Sequence, residues 1–145
     1  MGLDQYLSKK IYIGNTLTKD NNNNKTFTIG DKEYPLKDLD FLIYEVGYWR
    51  KANQIHKWFV DNVQEGKDDC GQYYVSEEKI KELHDLCTEI INNPQKAEEL
   101  LPSHPGFFFG TYEYDEYYIK DLQHTIEILE PLLNSNNSIY YSASW

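Results

Sequence analysis

Three stretches of this chain repeat apolar side chains at three- and four-residue intervals, and short β-prone, aromatic-rich segments lie around them. Each such stripe needs a partner surface to bury it, so the expected fold is α+β. The expectation is a small antiparallel sheet, made of an N-terminal hairpin and a C-terminal strand, packed against about three helices. In the first stretch Tyr48, Ala52, Ile55, Phe59 and Val63 form the stripe of a helix from Tyr48 or Trp49 to Val63. Trp49, Asn53, His56 and Val60 make its adjoining face.

The second helix carries its own start and stop signals. Ser76 is a suitable N-cap, Glu77 and Glu78 favour the positive end of the helix dipole, and Val75 with Ile80 fits a hydrophobic staple. Ile80, Leu83, Leu86, Cys87 and Ile90 continue the apolar face to Asn92, and Pro94 closes it. The third helix begins at Asp115 or Glu116 and ends near Leu129, with Tyr118, Leu122, Thr125 and Leu129 inward. Tyr114, Tyr117, Asp121 and His124 fall on a more polar face.

The β-prone segments are Lys10–Asn15, Phe27–Tyr34 with a turn, and the alternating tail Ile139–Trp145. Asp40–Gly47 reads as a strand or a helical approach, and Phe107–Gly110 as a short strand or buried loop. Asn21–Asn24 has too little apolar area to pack and is expected as an exposed loop. No repeat or composition break divides the chain, so one domain over 1–145 is expected.

Charge is distributed unevenly. Met1–Phe59 has nine basic and seven acidic residues, or +2, whereas Val60–Trp145 has five basic and seventeen acidic residues, or −12. Together they make the −10 of the whole chain. A negative second half keeps a protein soluble, and it also attracts a basic partner surface.

No leader-like apolar run follows Met1, and no stretch approaches the roughly 20 apolar residues of a membrane span, so a cytoplasmic location and no membrane contact are expected. Cys70 and Cys87 are not a CxxC pair, and Asp68-Asp69-Cys70 lacks the alternating oxygen ligands of a calcium loop. Neither metal nor cofactor is expected. An Asp of that loop is instead suited to accept backbone N–H bonds or to pair with Arg50 or Lys51.

Two clusters carry candidate chemistry. In Gly47–Trp58, Arg50 offers a planar fork of donors, Asn53 an amide and His56 a group that titrates near neutrality. Arg50, Asn53 and His56, with Asp69 or Tyr114 in support, are the candidate ligand-binding residues. In Gly106–Tyr118, aromatic side chains are interleaved with acids, which opposes direct nucleic-acid binding and suits a basic protein groove. Glu113, Asp115, Glu116, Tyr117 and Asp121 are the candidate interaction residues. His56, Cys70 and Asp121 have the residue types of a nucleophile–base set, and no P-loop, dinucleotide, HExxH or GxSxG motif is present.

The chain resembles a family of small bacteriophage and prophage proteins. The shared elements are Met1-Gly2-Leu3-Asp4, Val46–Asn53 with His56 and Trp58-Phe59, Asp68-Asp69-Cys70, Leu101-Pro102, and Gly106–Gly110 followed by Tyr114, Tyr117 and Tyr118. That resemblance implies a bacterial host cytoplasm and an accessory role, with no established reaction attached. The leading expectation is an acidic accessory protein that binds a basic surface on a host or phage protein, for instance inhibiting a nucleic-acid-binding or defence factor. A small-ligand or nucleotide-binding protein or enzyme using the Arg50 cluster is the first alternative. A phage structural or assembly component is the second, and another copy of the chain is a further candidate partner.

Overall fold

The computed structural model describes residues 2–12, 26–106, 109–135 and 138–145. Asn21–Asn24, Phe107 and Phe108 lie outside the described residues. The described residues contain strands β1 (Asp4–Tyr12), β2 (Thr26–Ile29), β3 (Lys32–Pro35), β4 (Phe41–Arg50), β5 (Gln72–Val75) and β6 (Ser138–Ser144). Their α-helices are α1 (Asn53–Asn62), α2 (Glu77–Asn92), the single turn α3 (Ala97–Leu100) and α4 (Glu116–Leu129). The fold is α+β, with a four-stranded sheet in the order β4-β1-β6-β5 and a separate two-stranded sheet, β2-β3.

The chain divides into two units, one formed by Met1–Lys9 with Glu45–Trp145 and the other by Lys10–Tyr44. Among the described residues, the buried core belongs wholly to the first. In the second, the antiparallel β2-β3 pair turns at Gly30, whose φ of 60° suits glycine, and aligns Phe27 with Tyr34. None of this unit's described residues is buried, and Tyr12, Ile29 and Phe41 through Tyr44 are exposed.

In the first unit the strands bury alternate side chains. Gln5 and Leu7 of β1, Gly47 and Trp49 of β4, and Ile139, Tyr141 and Ala143 of β6 are buried. β5 pairs antiparallel with β6, with Tyr74 opposite Tyr140 and Val75 opposite Ile139. Phe59 of α1 stacks on Tyr141 with ring centres 3.8 Å apart. Gly47 lets β4 approach α4 closely, because a Cβ there would sit 2.5 Å from Ile128 Cγ2.

Local signals placed α2 and α4 well. Ser76 Oγ accepts from the Lys79 N–H at 3.2 Å, and Asp115 Oδ1 accepts from the N–H groups of Tyr117 and Tyr118 at 3.0 and 3.1 Å. Three expectations change. β1 starts at Asp4 rather than Lys10, because the buried amide of Gln5 interrupts an otherwise apolar alternation of Leu3 and Leu7. β5 occupies the aromatic run after Gly71, so the sheet exceeds a hairpin and a tail. The first helix starts at Asn53, since the chain stays extended through Tyr48, Trp49 and Arg50. Tyr48 is correspondingly exposed, and its hydroxyl bonds the Asp4 carboxylate.

Candidate functional site

The strand-to-helix junction at Lys51 organises the site. Lys51 has φ 60°, a left-handed conformation that costs a non-glycine residue about 1–2 kcal/mol. Its N–H donates to the Leu3 carbonyl at 2.7 Å, and its own carbonyl accepts from the Asn53 N–H at 2.9 Å. Gly110 passes close by, because a Cβ there would lie 3.0 Å from the Lys51 carbonyl oxygen.

Ala52 at the head of α1 has no capping side chain of its own. Gln5, 47 residues away, clamps it instead: Oε1 accepts from the Ala52 N–H at 3.1 Å and Nε2 donates to the Ala52 carbonyl at 3.2 Å. Asn53 ties down the neighbouring loop. Its Nδ2 donates to the carbonyls of Phe109 at 3.1 Å and Thr111 at 2.8 Å, and its Oδ1 accepts from the His104 N–H at 2.9 Å. Asn53 is thus fully engaged by protein and holds the site together rather than facing it with free groups.

A cavity of about 220 Å³ lies among Arg50, Lys51, Asn53 and Gln54, Ser103, the Gly110–Glu113 segment, and Tyr117, Tyr118 and Asp121 of α4. Gln54 Nε2 donates to Asp121 Oδ2 at 3.2 Å. Burial raises the Asp121 carboxyl above the ordinary range, against the smaller opposing effects of the Gln54 bond and His124. Behind it, Thr125 donates to the Asp121 backbone carbonyl at 2.7 Å and accepts the Trp49 indole N–H at 2.9 Å. Tyr118 donates its hydroxyl to the Leu101 carbonyl at 2.7 Å, and burial raises that phenol as well.

His56 faces a different cavity, of about 210 Å³, bordered by Lys57, Val60, Asp61, Gly66, Asp68 and His104. Burial lowers its pKa more than Asp68 raises it. Burial also pushes the Tyr141 hydroxyl up, so Tyr141 keeps its proton and donates it to His56 Nδ1 at 2.8 Å. Nε2–H then donates to Asp68 Oδ1 at 2.8 Å. With both ring nitrogens occupied, His56 has no position left for Cys70 or Asp121, and the nucleophile–base set does not assemble.

The candidate ligand residues are therefore divided. Arg50 and Asn53 share the first cavity, and His56 lines the second. Asp69 is turned to its own loop, where its carboxylate accepts from the Gly71 N–H and the Tyr73 hydroxyl, each at 2.9 Å. Tyr114 packs edge-on against Tyr118, and its hydroxyl accepts from the Ser103 N–H at 3.1 Å. Of the alternatives expected for the Asp68-Asp69 loop, acceptance of a backbone N–H is met by Asp69, and among the described residues neither Arg50 nor Lys51 pairs with either Asp.

Of the candidate interaction residues, Glu113 and Glu116 are exposed, and Tyr117 is 63% exposed with the Lys120 ammonium 5.1 Å from its ring centre. Asp115 is committed to capping α4, and Asp121 is half-buried at the cavity instead of on the outer face. Gln5, Gln54, Asp68, Thr125 and Tyr141 were not among the candidate site residues read from the sequence. Gln5 left a signal, a polar residue at a buried alternation point, whereas the others depend on long-range packing.

Cys70 is exposed and Cys87 is buried, both as free thiols, and burial pushes Cys87 up to about 12. Among the described residues no cluster of His, Cys, Asp and Glu is placed to hold a metal ion, and no helix is long and apolar enough to cross a membrane. Comparison with protein-family models, curated proteins and solved structures gives no match.

Proposed function

We propose that this protein works by binding a basic surface on a partner protein through its acidic second half. One observation carries the reading: the ion pairs that serve this half are local, and many of its carboxylates have none. Lys57 meets Asp61 at 2.6 Å, Lys79 meets Glu82 at 2.8 Å, Lys96 meets Glu89 at 2.8 Å, Lys81 meets Asp85, and Lys120 lies 3.9 Å from Glu116. Glu77, Glu78, Glu98, Glu99, Glu113 and Glu127 are exposed and form no ion pair among the described residues. A field of this sign accelerates encounter with a positive partner and is weakened by salt.

A hollow of about 410 Å³ lined by Glu77, Glu78, Lys81, His84, Asp85 and Leu133 offers room for a partner's side chain. The exposed Tyr112, Tyr114 and Tyr117 add amphipathic contact area. The sequence resemblance to phage proteins supports proposing a bacterial host cytoplasm as the setting and a host nucleic-acid-binding or defence factor as the target. The test is capture of that partner from infected-cell extract at about 0.05 M and about 0.5 M salt, followed by titration with the purified partner. Retention only at low salt, and a weakened complex with the Glu98→Gln/Glu99→Gln/Glu116→Gln variant, are expected. Affinity unchanged by that variant and by salt would refute it.

A further inference from the structure

The 220 Å³ cavity brings together charges of both signs without letting them meet. Arg50 and Lys51 reach it from the end of β4, and Glu113 and Asp121 from the segment before α4 and from α4 itself. Among the described residues neither base forms a hydrogen bond or ion pair with either acid. Such groups ordinarily close on one another when a shared concave site permits it. Here the Lys51 backbone is held in a left-handed turn against Gly110, and the Asp121 carboxylate accepts from Gln54.

The size of the space narrows the ligand class. At about 220 Å³ the cavity falls below the 300–1,000 Å³ of sites for drug-sized ligands, so a small ligand suits it best. The chemistry asks for one anionic group and one cationic group in a molecule of that size.

We propose that this cavity binds a small zwitterion of the α-amino-acid class, with its carboxylate against Arg50 and Lys51 and its ammonium against Asp121. Arg50 supplies a planar donor fork matched to a carboxylate, and Lys51 a second positive charge. Asp121 is a half-buried carboxylate that forms no ion pair among the described residues, and burial raises it. The bound ammonium completes it. Asn53 acts here as a positioning residue, since its three bonds fix the loop that forms one wall. The proposal is independent of the acidic-surface reading, and the Glu98, Glu99 and Glu116 substitutions that test that reading do not touch this cavity's lining.

The test is calorimetric titration of the purified full chain with individual α-amino acids of up to about ten heavy atoms. Any amino acid that binds is compared with its decarboxylated amine and its deaminated acid. At least one amino acid is expected to bind, and removal of either charged group is expected to weaken it by about tenfold or more. Arg50→Gln and Asp121→Asn are each expected to do the same. Arg50 is exposed, so its variant has no reason to misfold, and the fragment comparison uses unaltered protein should Asp121→Asn fail to fold. Absence of binding below about 10 mM across the series would overturn the proposal. So would an acid fragment that binds as well as its parent and ignores Asp121→Asn, which would mark a simple anion site.

Discussion

Trp49 and Thr125 meet in the interior across 76 residues of sequence, the indole N–H donating to the threonine hydroxyl at 2.9 Å. The hydroxyl in turn donates a hydrogen bond to the Asp121 backbone carbonyl, so a single small side chain links β4 to the helix that carries the cavity's carboxylate. Thr125→Val preserves shape and strands the indole donor. The expected loss is about 1–3 kcal/mol, measured by urea denaturation. The loss should shrink in a Trp49→Phe background, where no donor remains to be stranded.

Asn53→Ala removes three bonds at once, to the backbones of His104, Phe109 and Thr111. At roughly 0.5–1.5 kcal/mol each, the expected cost is about 2–4 kcal/mol. Proteolytic cleavage between Ser103 and Tyr112 should accelerate in the folded protein, in line with local release rather than global unfolding alone.

His56 makes stability depend on mild acid. Its folded pKa lies below the ordinary value, so between about 6.5 and that lower value the unfolded chain binds more protons than the folded one. Its contribution is fully present above about pH 6.5 and is lost as pH falls through the window below. Denaturation midpoints measured from pH 8 to pH 5 should fall on the acid side, and His56→Gln should flatten that part of the profile even if it lowers stability at neutral pH.

Asp121 works with the opposite sign. Its folded pKa is raised, so its contribution is most favourable below the ordinary carboxylate value and is lost as pH rises through the folded one. Asp121→Asn keeps an acceptor for Gln54 and removes the buried charge. It should be more stable than the parent at neutral pH, with the difference closing in acid, as read from paired denaturation curves.

Gly47 lets β4 lie against Ile128 of α4, because a Cβ there would sit 2.5 Å from Ile128 Cγ2. Gly47→Ala drives a methyl into Ile128 and should cost about 1–3 kcal/mol. Ile128→Ala is destabilising by itself because it opens a cavity, yet the double variant should lose less than the two single losses combined. Additive losses would show that the backbone shifts instead of the side chains colliding.

The legible parts of this fold were those specified by near neighbours. Ser76 caps Lys79 three residues on, Asp115 caps Tyr117 and Tyr118, and both helices were placed within a residue or two. The entry to α1 was misplaced because Tyr48 stands four residues before Ala52, at a helical spacing that is accidental here. The residue that ends the strand, Lys51, adopts a left-handed turn without the glycine that would advertise it.

The site was half legible for the same reason. Arg50 and Asn53 belong to a dense polar run and could be singled out by residue type. Asp121 shares a helix face with Tyr117 and His124, both exposed, and its bond from Gln54, 67 residues earlier, is not visible in local spacing. His56 was grouped with Arg50 because the two fall on neighbouring stretches of chain. The sheet claims it instead through Tyr141, 85 residues later.

The unequal burial of the two thiols gives the molecule a built-in reporter. Cys87 is enclosed and held largely protonated, while Cys70 is exposed two residues beyond the Asp68 that anchors its loop to His56. An alkylating dye should therefore label one position per chain without engineering. Its emission would register the moment at which that loop parts from the imidazole, separately from the unfolding of the interior.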